Sequence, residues 1–201
     1  MEISEYKNIE IFKNNLSTFK ETSFDKDGKT PGYMTDSEIQ VINYDKVKGD
    51  YIKGMSLSNA PCSNDALYIG EDKKLFFIEF KNGVMTNRVI YNVHYKIYDS
   101  LLMFNDIVNE NISFCRQNVY FVLVYNENRN SFSSEGKKQE DSSKAIISKF
   151  VHRKANKKFV RFGLERFEKM YFKEVFTYTE SEFEKDFLPK ITALYNEAEA
   201  Q

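Results

Sequence analysis

Apolar residues in this chain fall into short unbroken runs near its middle and into three- and four-residue spacings on either side. The strongest run, Leu75-Phe76-Phe77-Ile78-Glu79-Phe80-Lys81, lies between Lys73-Lys74 and Asn82-Gly83 and predicts a buried strand with a turn at each end. Asp65-Ala66-Leu67-Tyr68-Ile69 predicts its antiparallel partner, with turn chemistry from Gly70 to Lys73. If the loop is Glu71 to Lys73, or Gly70 to Lys74, then Ile69 faces Leu75, Leu67 faces Phe77 and Asp65 faces Glu79. A loop of even length would turn Asp65 to the wrong face. After Gly83, the spacing of Val89, Val93, Ile97, Leu101, Phe104 and Val108 predicts an amphipathic helix. Asn118 to Tyr125 then reads as an interior strand, parallel to the 75–81 strand because a helix separates the two.

The flanks carry weaker patterns. Ile9, Phe12, Leu16 and Phe19 predict one helix over Tyr6 to Lys20, followed by a polar stretch from Glu21 to Pro31. Within that stretch, Asp25-Lys26-Asp27-Gly28 resembles a fragment of a calcium loop but lacks the remaining acidic ligands, so a plain turn is expected. Ile39 to Ile42 suggests a strand and Tyr44 the start of a helix. Lys173 to Thr177 suggests a strand, and Ser181-x-x-Glu184 a capping box opening a helix with Phe183, Phe187, Leu188, Ile191, Leu194 and Tyr195 on one face. Together these elements predict an α/β fold with a mixed sheet. With 201 residues and no Pro-rich or Gly/Ser-rich linker, one domain is expected over 1–201. Its motif core covers about 60–126, between an N-terminal segment 1–58 and a C-terminal basic helix, strand and helix over 140–200.

Candidate chemistry sits at the end of the predicted hairpin. Directly opposed strand residues have Cβ atoms about 4.5–5.5 Å apart, close enough for the Asp65 and Glu79 carboxylates to reach one cation. Two adjacent carboxylates repel unless a proton or a metal intervenes, and hard oxygen ligands suit Mg²⁺ or Mn²⁺ better than zinc. At Asp65, Glu79 and Lys81 the chain resembles the PD-(D/E)XK nuclease superfamily, whose core is an Asp on one strand, a Glu-x-Lys or Asp-x-Lys on the next and then a helix. The resemblance spans Asp65 to Tyr125, with Asn64 where the family often has Pro. It implies a restriction-endonuclease-like three-layer core, a central mixed sheet flanked by helices. It also implies Mg²⁺ held by Asp65, Glu79 and the Phe80 carbonyl, with Lys81 at the attacking water or the scissile phosphate. Glu-x-Lys also occurs at Glu5-Tyr6-Lys7, Glu71-Asp72-Lys73 and Glu135-Gly136-Lys137; the buried strand and the in-register Asp set Glu79 apart. The competing reading makes Glu79 and Lys81 a solvated strand end and Asp65 a turn cap.

Further polar groups extend the picture. Arg88, Asn92, Lys96 and Ser100 form a second stripe on the predicted helix, and by the resemblance such a helix lends a polar side chain to the site, for which Lys96 is the choice. The alternative pairs Lys96 with Asp99 on the surface. Glu38, Asp45 and Asp50 are the candidates for a third acid. Lys137 to Arg161 holds nine Lys or Arg against Glu140 and Asp141 in a chain of net charge −1, a local excess that suits a polyanion such as DNA. Its exposed helical face would be Lys144, Lys149, Arg153 and Lys154. Phe159, Phe162, Phe167, Tyr171 and Phe172 are the right types to stack on bases, although core packing accounts for most aromatics. Cys62 and Cys115 lie far apart, and with His94 and His152 they complete no zinc set. No apolar stretch of transmembrane length and no signal-like start are present, so a cytoplasmic protein without membrane contact is expected. The resulting expectation is a metal-dependent nuclease acting on DNA, with a homodimer where both strands are cut. The alternative is a silent nuclease-like domain that binds nucleic acid or a protein.

Overall fold

The computed structural model describes residues 2–26, 31–70, 72–131 and 159–192. A 3₁₀ turn at Ile3–Asn8 leads into α1 (Glu10–Lys13), β1 (Leu16–Thr18), α2 (Phe19–Thr22), β2 (Gln40–Asn43) and α3 (Tyr44–Tyr51). Then follow β3 (Ala66–Ile69), β4 (Leu75–Lys81), α4 (Asn87–Val108), α5 (Ile112–Asn118) and β5 (Val119–Tyr125). A 3₁₀ turn at Leu164–Phe167 precedes β6 (Glu174–Thr179) and α6 (Glu180–Glu182), which runs into a π-helical turn at Phe183–Phe187. The fold is α/β. Its six strands form one mixed sheet in sequence order, antiparallel from β1 to β4 and parallel from β4 to β6.

The hairpin register is the one the loop length predicts. Leu67 pairs with Phe77 and Ile69 with Leu75, while Tyr68 pairs with Phe76 on the opposite face. Because side chains alternate along a strand, the sheet feeds two separate cores. On one face Leu67, Leu75, Phe77, Phe121 and Leu123 pack against Val93, Ile97, Leu101 and Phe104 of α4 and Val47 of α3. On the other, Tyr68, Phe76, Ile78, Phe80, Val122 and Val124 meet Phe19 of α2 and Phe183 and Phe187 beyond α6. Every residue of β4 except Lys81 is buried, as its central place in the sheet requires. Among the described residues no helix is long and apolar enough to cross a membrane.

Three expectations need correction. The Tyr6 to Lys20 segment is not one helix. Asn15 ends the first piece by donating from Nδ2 to Ile11 O and to Asp50 Oδ2, both at 2.8 Å, and Leu16 to Thr18 then pair with β2 as an edge strand. Phe12 joins one core and Phe19 the other, so the apparent stripe serves two faces of the sheet. The C-terminal helix opens two residues before Ser181: the Thr179 hydroxyl accepts from Glu182 N (3.2 Å) and the Glu182 carboxylate accepts from Thr179 N (3.0 Å). Third, Asn118 closes an unanticipated helix, α5, capped by Asn111, whose Oδ1 accepts from Ser113 N and Phe114 N. The basic stretch from residue 137 to 158, the calcium-loop residues 27–30 and the helix positions Leu194 and Tyr195 lie outside the described residues.

Phe77 joins these layers. Its ring meets Tyr44 edge-on at 5.0 Å and Phe104 at 5.7 Å. Truncation there leaves a cavity flanked by two rigid rings, so Phe77→Ala should cost about 3–5 kcal/mol in urea unfolding. Leu102→Ala, on the exposed side of α4, should stay within about 0.5 kcal/mol.

Candidate active site

Asp65 is fixed at every polar atom. Its N–H donates to Ile78 O (3.2 Å), its carbonyl accepts from Tyr44 N (3.1 Å), and its Oδ2 accepts from Phe80 N (2.7 Å). The side chain therefore stays at the end of the hairpin, on the face shared by Glu79 and Lys81. From the helix packed on that face, Lys96 donates to Asp65 Oδ1 (3.0 Å) and to Glu79 Oε1 (2.7 Å). Lys81 also closes on Glu79 Oε1. Two residues' separation on one strand puts Lys81 beside Glu79, and the phase of α4 puts Lys96 above both carboxylates. All four side chains named from the sequence thus meet at one place, and the surface pair of Lys96 with Asp99 does not form.

Asp99 and Ser100 act on the approach to the hairpin instead. Asp99 Oδ2 accepts from Cys62 N at 2.7 Å and Ser100 Oγ from Asn64 N at 2.8 Å, so α4 clamps the segment that delivers Asp65. Arg88 and Asn92, earlier on the same stripe, are exposed. Ser100 carries a sequence signal after the fact: it follows Lys96 by one helical turn.

Glu79 has no exposed surface, which rules out the solvated strand end. Burial pushes its carboxyl up and the nearby Asp65 charge adds to this, against the opposing pull of Lys81 and Lys96. Burial works to lower the Lys96 ammonium, but Glu79 and Asp65 together outweigh it and hold it above its ordinary value. Glu79 Oε2 is buried with no hydrogen-bond partner among the described residues, as are both side-chain polar atoms of Asn64 beside Asp65. A buried carboxylate oxygen without a partner costs free energy and marks a place for a water or an ion.

A cleft of about 430 Å³ opens over this cluster, lined by Asp45, Asp65, Phe80, Lys81 and Lys96 and also by Phe24, Asp25, Lys26 and Arg129. Of the three candidate third acids, only Asp45 lines the cleft. Glu38 lies 3.7 Å from Lys20, and Asp50 is held by Asn15. Asp45, in the first turn of α3, accepts from Ser63 Oγ (2.5 Å) and Lys48 Nζ (2.9 Å). The surrounding protein works to raise its carboxyl, but these two donors and the charge of Lys96 outweigh that and hold it below its ordinary value. Among the described residues no three Asp, Glu, His or Cys side chains gather as a ready metal cluster. His94 packs edge-on against Phe167 at 4.9 Å, away from the site, and burial lowers its pKa. Phe167 and Phe172 are fully buried core residues, which removes them from any base-stacking role. Cys62 and Cys115 are both free thiols.

Compared with protein-family models, with curated proteins and with solved structures, the chain finds no significant match in any of the three.

The ammonium of Lys96 should support the fold as well as the site. Lys96→Met leaves Glu79 buried with one counter-charge fewer, and should cost about 3 kcal/mol in urea unfolding near neutral pH. Since the folded chain holds Lys96 above its ordinary 10.5, that stabilisation is complete below pH 10.5 and fades as pH rises through the folded value. The gap between wild type and variant, followed by urea midpoints, should be flat from neutral pH to pH 10.5 and narrow above it.

Proposed function

We propose that this protein is a metal-dependent nuclease that hydrolyses phosphodiester bonds in DNA, built on a restriction-endonuclease-like core. The observation that carries this reading is the convergence of Asp65, Glu79, Lys81 and Lys96 under one cleft, with Glu79 Oε2 buried and unpartnered. The hairpin register and the helix that joins two parallel strands support the fold part of the reading.

The residues fit Mg²⁺ or Mn²⁺. Mg²⁺ commonly takes one or two carboxylates and completes its shell with waters and substrate phosphate, so Asp65 and Glu79 suffice, aided by the Phe80 carbonyl. Such an ion supplies a water of lowered pKa near neutral pH and offsets phosphate charge. The chain's own groups do the rest. Phe80 N–H holds the Asp65 carboxylate in place. Lys81 places a positive charge where the scissile phosphate gains negative charge, and Lys96 holds the two carboxylates side by side until substrate and ion arrive. Lys26 and Arg129, which have no acidic partner among the described residues, are available to neighbouring phosphates. Cutting both strands of a duplex would take two such sites, hence a homodimer.

One observation favours a second reading, a nuclease-like domain that binds without cutting. Asp45, Asp65 and Glu79 already face Lys48, Lys81 and Lys96, so the cluster is neutral without an ion.

Cleavage of plasmid and single-stranded DNA should appear with Mg²⁺ or Mn²⁺ and vanish with chelator. Asp65→Asn should abolish it, and Lys81→Ala should lower it by about 10²–10³. Cleavage that survives Asp65→Asn would sink the hydrolase reading, and DNA binding with no cleavage by the wild type would select the second.

A further inference from the structure

Two half-exposed aromatic rings, Phe24 and Tyr33, pack on each other outside both cores, and the first of them lines the cleft. Asp25 and Gly32 form an antiparallel bridge, with N–H to O distances of 2.9 and 3.3 Å, and the next pair outward is Phe24 and Tyr33. Their rings lie 4.8 Å apart, yet Phe24 is 45% and Tyr33 48% exposed, and neither belongs to either core. Lys20 Nζ lies 5.5 Å from the Tyr33 ring centre, and Phe24 itself lines the cleft. Lys26 and Arg129 line the same cleft without an acidic partner among the described residues, whereas Lys81 and Lys96 are held by carboxylates. Free cations beside an exposed aromatic pair match the two parts of a nucleotide, phosphate and base.

From this juxtaposition we infer that the cleft takes an unpaired strand, with a base stacked on Phe24 and Tyr33 while Arg129 and Lys26 hold its flanking phosphates. The inference rests on the nucleic-acid part of the proposed function and narrows its substrate to single strands, frayed ends or displaced flaps. In a duplex the faces of the bases are covered by their neighbours, so an aromatic lining the cleft meets one only when the strand is unpaired or the base is turned out. Stacking is indifferent to base identity, so the site would discriminate strandedness and not sequence.

Binding of short dye-labelled oligo(dT), oligo(U) and a duplex of equal length, followed by anisotropy in chelator, tests this without cleavage. Unpaired strands should bind tighter than duplex. Phe24→Ala and Tyr33→Ala should each weaken them about tenfold and leave duplex binding alone, while Arg129→Gln should weaken both. The exposed positions should leave the thermal melt unchanged. No binding by the wild type, a preference for duplex, or aromatic variants that bind unpaired strands as the wild type does would each overturn the inference. Aromatic-dependent binding without Mn²⁺-dependent cleavage would uphold it and reject hydrolysis. Cleavage insensitive to both aromatics, with unaltered binding, would do the reverse.

Discussion

A carboxylate with no exposed surface in the middle of a sheet must be answered by a positive charge, and much of this structure is arranged around that demand at Glu79. Lys81 answers from the same strand. Lys96 answers from α4, and it can do so only if the helix lies across β4 in one phase, with Val93, Ile97 and Leu101 on the sheet and Ser100 over the approach to β3. Apolar packing and ion pairing thus select the same helix rotation. Asp65 joins because the hairpin register puts it on that face, and the Phe80 N–H fixes it there. The cluster has a balanced charge, while the cleft above it is also lined by Lys26 and Arg129, which have no acidic partner among the described residues.

The parts of this arrangement that were legible in the sequence are those governed by a single period. The two-residue alternation of 65–69 and 75–81 and an odd loop fixed which residues face one another. The long apolar spacing of α4 left Lys96 on its polar stripe, and a helix between two strands implied that they run parallel. Illegible parts depend on contacts between remote segments. Ile9, Phe12, Leu16 and Phe19 have helical spacing, but the chain turns at Asn15 and distributes Phe12 and Phe19 to opposite faces of the sheet. Two capping boxes are written in Thr179 to Glu184, and only the extent of β6 decides that the earlier one is used. Glu38, Asp45 and Asp50 look equivalent in sequence. Asp45 reaches the cleft because α3 begins where Tyr44 N–H meets the carbonyl of Asp65. Phe24 and Tyr33 sit in a polar stretch with no period at all, and a bridge between Asp25 and Gly32 is what brings them together.

The two faces of the sheet divide the labour. One carries α3 and α4 and with them every ion pair of the cluster. The other is an aromatic layer in which Phe183 meets Phe19 and Phe80, and Phe187 meets Phe76, edge to face at ring distances of 5.3–5.6 Å. Phe80 belongs to both: its ring is in the aromatic layer and its backbone N–H holds Asp65. Packing on the far face therefore sets where the carboxylate of the near face is held.

The π-helical turn at Phe183–Phe187 follows from that aromatic layer. Leu188 N–H reaches back to the carbonyl of Phe183, five residues earlier, and the wider turn sets Phe183 and Phe187 one above the other, rings stacked at 5.1 Å. Such a bulge is equivalent to one residue added to an ordinary helix. Deleting a single residue there would restore regular winding and leave Leu188 and Ile191 in phase on the sheet, at the cost of the stacked Phe183 and Phe187 pair. In this helix the wide turn uncouples length from phase: it holds one residue more than regular winding needs while Leu188 and Ile191 keep their face.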